Sequence, residues 1–136
     1  MAISQYSSDG RWEGPLAANV NAVVGDLACI VLSSGYLTPG AVATGLKTIG
    51  TFATAAVNNP GSAGAKRVQV NHGHQCRVFR LANAASPNNL TKMGETAYVD
   101  GARAVTALST GRSVAGTVVG FEDETTKAVV LVLITP

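Results

Sequence analysis

The chain has 136 residues, 46% of them hydrophobic and only 13% charged, with a formal net charge of +2. Its length suits one domain with a core of its own, but an ordinary soluble protein is about 25% charged. That deficit leaves a surface of Ala, Gly, Ser, Thr and Asn, which tolerates close approach by another chain and points to a subunit of an assembly.

The scattered Lys and Arg form no basic stripe able to neutralise several phosphates, so no nucleic-acid partner is expected. Residues 1–10 are polar and lack the apolar centre of a signal peptide. The longest strongly apolar run, residues 128–134, is too short to span a bilayer, so no membrane partner is expected either.

In chain order, residues 1–24 read as an N-terminal arm and residues 25–136 as a β-sandwich domain. The arm carries the only tryptophan, Trp12, within Asp9, Gly10, Arg11, Trp12, Glu13, Gly14, Pro15. A lone aromatic in such a run either folds back on the protein's own core or anchors the arm in a pocket of a neighbouring subunit. Tyr6 and Arg11 accompany it as interface candidates.

Beyond the arm, helical periodicity is almost absent, and β-branched runs alternate with Gly, Pro, Asn and Ser clusters that punctuate hairpins. Strands are expected at residues 27–32, 46–57 with a break at Gly50, 67–71, 75–81, 96–100, 104–108, 113–121 and 127–134. This is an all-β pattern. It fits a jelly-roll-like β-sandwich, the preferred reading, or a small β-barrel.

Several segments invite closer reading. Residues 58–64 and 83–89 are loops rich in residues that tolerate turns. The alternation through Arg67, Val68, Gln69, Val70 and Asn71 marks a half-buried strand. Cys29 and Cys76 are expected to be reduced thiols. His72, His74 and Cys76 would share one face of an uninterrupted strand, as three zinc ligands do, but Gly73 interrupts the run and no further ligand group is evident. The competing reading is a polar hairpin corner, and no metal or other cofactor is assigned.

No Gly-x-Ser-x-Gly elbow or phosphate loop occurs, so no catalytic residues are assigned and the protein is not expected to be an enzyme. Glu122, Asp123 and Glu124 lack the spacing of a calcium loop and read as a hairpin tip. Residues 128–134 are apolar at every position, which suits a strand covered on both faces, by the core on one side and by more of the domain or a partner on the other. Val129, Leu131 and Leu133 are the interface candidates there.

A weak internal echo runs through the chain. Gly25, Asp26, Leu27, Ala28, Cys29 opens a stretch that passes Gly50 and Thr51, while Gly94, Glu95, Thr96, Ala97, Tyr98 opens one that passes Gly116 and Thr117. The halves are either chance look-alikes or related units pairing about a pseudo-twofold axis, each entering a strand from a Gly-acid turn.

Taken in order, Gly25-Asp26, Gly35-Tyr36, the loop at 58–64, Lys66-Arg67-Val68-Gln69-Val70, Asn83-Ala84, Gly94-Glu95-Thr96-Ala97-Tyr98-Val99-Asp100 and Thr110-Gly111-Arg112-Ser113-Val114-Ala115-Gly116-Thr117-Val118 resemble a family of small phage proteins. These are the capsid cement, or head decoration, proteins. The weight lies in the order of the motifs, since none is specific alone. Residues 72–80 run longer than the family pattern, and the arm has no counterpart in it.

The resemblance implies a structural virion protein on the outside of the capsid, present in the host cytoplasm before assembly. There it would stabilise the shell by bridging subunits of its partner, the major capsid protein. Symmetry favours a homo-oligomer, a dimer over a trimer. The alternative is a virion-surface module that recognises host glycans or surface proteins through the two loops, which lack the aromatic residues such sites use.

Overall fold

The computed structural model describes residues 5–6, 11–73, 77–84 and 89–135. Its strands, in chain order, are β1 (Gln5–Tyr6), β2 (Arg11–Pro15), β3 (Asn21–Ala22), β4 (Leu27–Val31), β5 (Leu37–Pro39), β6 (Leu46–Phe52), β7 (Ala56–Val57), β8 (Arg67–His72), β9 (Val78–Asn83), β10 (Thr96–Val99), β11 (Ala104–Thr106), β12 (Val114–Phe121) and β13 (Val129–Leu133). They form a six-stranded sheet β1-β2-β8-β6-β4-β5, a closed barrel β10-β11-β9-β13-β12 and a ribbon β3-β7. The all-β expectation holds. One of the two large sheets closes into a small barrel, and the other remains a six-stranded sheet.

Both large sheets follow one plan. In the second half β9 pairs with β13, β13 with β12, β12 with β10 and β10 with β11, all antiparallel, and β11 closes on β9 in parallel. In the first half β2, β8, β6, β4 and β5 succeed one another in the same antiparallel order. The parallel bridge Leu16 to Leu37 then returns β5 to the end of β2. The strand orders therefore agree, and the chain is a tandem of two like units.

Agreement extends to single residues. Leu27 faces Thr51 and Ala28 faces Gly50, then the register jumps to Cys29 with Thr48. Likewise Thr96 faces Thr117 and Ala97 faces Gly116, then the register jumps to Tyr98 with Val114. The extra residue of each bulge, Ile49 or Ala115, lies in its half's core.

Beside each bulge the neighbouring strand passes too closely for a side chain. A Cβ on Gly50 would lie 1.9 Å from the Asn71 carbonyl oxygen, and one on Gly116 would lie 2.2 Å from that of Leu133. The break expected at Gly50 is thus a bulge inside the continuous strand β6.

Two cores fill the halves. Leu16, Ala28, Leu37, Ile49, Phe52, Val68 and Val70 pack in the first. The positions matching all of these but Leu16, namely Ala97, Val105, Ala115, Val118, Val130 and Val132, pack in the second, with Phe79, Leu81, Leu90, Phe121 and Ile134. Leu27 joins the two halves, because it leaves β4 and is fully buried in the second core. Its amide donates to Ala102 at 2.6 Å, and Arg103 pairs with Asp26. Ser113 adds a second tie, donating to the Ala43 carbonyl at 2.7 Å and accepting from the Leu46 amide at 3.1 Å.

Two expectations need correction. Residues 11–24 are not an arm: Arg11–Pro15 is strand β2 between β1 and β8, and Leu16 and Ala22 are 0% and 3% exposed. The polar, proline-ended run concealed a strand. Nor does the domain itself cover β13 on both faces. Val130 and Val132 point into the barrel, while Val129, Leu131 and Leu133 remain half-exposed on its outer side.

Candidate interaction face

The outer surface of each half is written by the residues that alternate with its core. On β2 and β8 the pairs that alternate with the core are Arg11 with Asn71, Glu13 with Gln69 and Pro15, itself buried, with Arg67. On β9 and β13 the same three places hold Val78 with Leu133, Arg80 with Leu131 and Ala82 with Val129. The backbone pairing is the same in both. The chemistry is not.

The first-half face is polar, and the Arg67 Nε bonds Glu13 Oε1 at 2.9 Å. The second-half face is aliphatic. Val78 is 52% exposed there, and the one charged side chain, Arg80, is held by Glu122, with Nη2 to Oε1 at 2.9 Å. That contact raises the Arg80 pKa and lowers that of Glu122, chiefly through the side-chain hydrogen bond. Since the polar version serves an equivalent half, the fold does not require aliphatic residues at Val129, Leu131 and Leu133. Val78 is exposed and Val129, Leu131 and Leu133 are half-exposed, which makes this face the candidate for contact with another molecule.

The arm candidates divide. Tyr6 lies on β1 in register with Trp12, and Arg11 is exposed on β2. Trp12 is half-buried and stacks on His72, with ring centroids 3.4 Å apart and planes 19° apart. By register, Trp12 and His72 stand where Phe79 and Ile134 stand in the second half. Through this stack Trp12 packs on its own fold.

His72 is 4% exposed and serves the same packing. His74 and Cys76 lie outside the described residues. Among the described residues no group of three His, Cys, Asp or Glu is placed to hold a metal. Cys29 is fully buried, and burial pushes its thiol pKa up to about 11, opposed by a hydrogen bond shared with Thr48. Such a thiol is chemically inert at neutral pH.

Both loops are held from within. Asn58, 1% exposed, donates to Ala17 and Ser62 at 2.9 and 3.0 Å, and its amide is bonded by Asn21 Oδ1 at 3.0 Å. Beside them the β3-β7 ribbon leaves Val23, Val24 and Val57 between 48% and 69% exposed. In the second loop Asn83 ties Leu90 to Lys127, while residues 85–88 lie outside the description. The acidic turn is an Asp123-capped hairpin tip, with Thr125 N to Oδ1 at 2.8 Å.

Where the halves meet, a cleft of about 550 Å3 runs between β6 and β12, lined by Lys47, Thr48, Thr96, Tyr98 and Thr117 among others. It holds hydroxyls and one lysine but no acid or base pair that would activate a nucleophile.

No family model, no curated protein and no solved structure matches the chain.

Proposed function

We propose that this is a capsid cement protein: a structural subunit that binds the outside of a phage shell and bridges neighbouring copies of the major capsid protein. The observation that carries the reading is the aliphatic face of Val78, Val129, Leu131 and Leu133 on the second half, where the first half is polar. The exposed Val23, Val24 and Val57 give the first half an apolar patch as well. A tandem with one patch per unit suits bridging, because once one patch is seated the second binds at high effective concentration.

Surface built largely from small uncharged residues lowers the desolvation cost of lying flat on another protein. Binding that favours the assembled shell then stabilises it by mass action. No cofactor and no turnover belong to this reading.

The test transplants the polar face. In the triple variant Val129→Arg, Leu131→Gln, Leu133→Asn, the outer residues of β13 become those of β8. Wild-type protein is expected to co-sediment with capsids lacking it and to saturate at a fixed ratio to the major capsid protein. The folded triple variant is expected to bind at least about tenfold more weakly. Capsids that bind neither protein, or both equally, would reject the reading.

A further inference from the structure

We infer that the edge of β9 at Val78 and Arg80 is a self-association edge, at which a second copy of this chain adds its own β9 antiparallel about a two-fold axis. The starting point is a difference in how the two halves finish the same edge. In the first half β1 lies along β2, with Gln5 opposite Glu13 and Tyr6 opposite Trp12. The matching residues of the second half are Arg80 and Phe79. Among the described residues no strand lies beside them, for β11 meets β9 only at Ala82 and Asn83.

Among the described residues no other strand lies along this edge. β8 ends at His72 and β9 begins at Val78. Backbone direction is fixed by two bonds: the amides of Ala82 and Ala84 donate toward β11, to Arg103 and Val105, at 2.8 and 2.9 Å. Alternation then turns the amides and carbonyls of Val78 and Arg80 to the same side, where they meet no strand. Exposed edges of this kind are templates for strand addition.

The edge is self-complementary. Centring the axis on Phe79 opposes Val78 of one copy to Arg80 of the other, and each such pair exchanges two backbone hydrogen bonds. Phe79 stays in its core. Outside, Val78 lies between Leu133 of its own β13 and Arg80 of the partner copy, and Arg80 is already neutralised by Glu122. No like charges are forced together, and the two aliphatic faces merge into one. The inference needs no capsid, so it stands or falls apart from the cement reading.

Sedimentation velocity of the full chain over a concentration series, with hydrogen exchange on the same samples, tests it. A dimer is expected, with Val78 and Arg80 amides protected in proportion to its population. Val78→Pro deletes only an outward amide and is tolerated on an edge strand. It is expected to weaken dimerisation about tenfold or more, since one bond per chain is lost. Val78→Lys, an edge lysine that keeps the backbone intact, does the same should the proline variant not fold. A monomer at all concentrations, a dimer that a folded edge variant leaves unchanged, or fast-exchanging Val78 and Arg80 amides in the dimer would each overturn the inference.

Discussion

The two halves share strand order, bulge and cross-strand register, yet one shows Arg67, Gln69 and Asn71 to the outside where the other shows Val129, Leu131 and Leu133. What is held in common is what the fold cannot vary: Ala28 and Ala97 under the bulge, and Gly50 and Gly116 where a carbonyl crosses. What differs lies where the barrel asks only for a side chain that tolerates a strand. The contrast separates residues kept for folding from residues free to serve a partner.

If the glycines are equivalent, replacing either should do equal harm. Gly50→Ala and Gly116→Ala each place a methyl within 1.9 or 2.2 Å of a carbonyl oxygen on the neighbouring strand, which must move. Each is expected to cost about 4 kcal/mol or more in urea unfolding. A small loss at one site would mean that its strands can part there and that the halves are not built alike.

Leu27→Ala comes next. The side chain leaves the first half to be buried in the second, so its loss should cost about 3 kcal/mol. Hydrogen exchange is expected to accelerate in both halves, because the shared residue couples them. Acceleration confined to one half would show that the other is stable alone. His72→Ile follows, since Ile134 holds the matching place; stability should change by less than about 1.5 kcal/mol, against about 3 kcal/mol for His72→Ala. Equal losses would break the correspondence of the Trp12-His72 stack with Phe79 and Ile134.

Much of this was legible in the chain. Strands such as Arg67–His72 announce themselves by alternation, and the Gly-acid openings at Gly25 and Gly94 mark matching turns. β2 escaped because Arg11–Pro15 is polar and ends in proline. Pro15 is tolerated because its place lies on the side where β2 meets β1 and then Leu37, so the missing amide breaks no bond to β8. The full repeat stayed hidden because matching core positions differ in volume, Phe52 against Val118 and Ile49 against Ala115. The contrast between the two faces could not be seen without register, since only pairing reveals that Gln69 and Leu131 occupy one site. Val129, Leu131 and Leu133 were singled out from an unbroken apolar run, which identified the strand but not why its outer residues matter.

The smallest expected effect concerns the acids that open each repeat. Asp26 reaches Arg103 in the other half, whereas Glu95 turns back on its own loop, accepting from the Thr91 and Lys92 amides at 2.7 Å each. Partial burial pushes the Glu95 pKa up, but those bonds outweigh it and hold the carboxyl below its ordinary value. A carboxylate with a lower pKa folded than unfolded contributes stability that is complete above the unfolded value, about 4.3. It loses that contribution as pH falls through the folded value. The Glu122 carboxyl is depressed too, by Arg80, so the informative quantity is a difference between proteins. Glu95→Gln should narrow its stability gap from wild type as pH falls from 6 toward 3, read from thermal midpoints. Parallel profiles would mean that the loop is held by its backbone alone, and that the second repeat keeps its acid for no electrostatic reason.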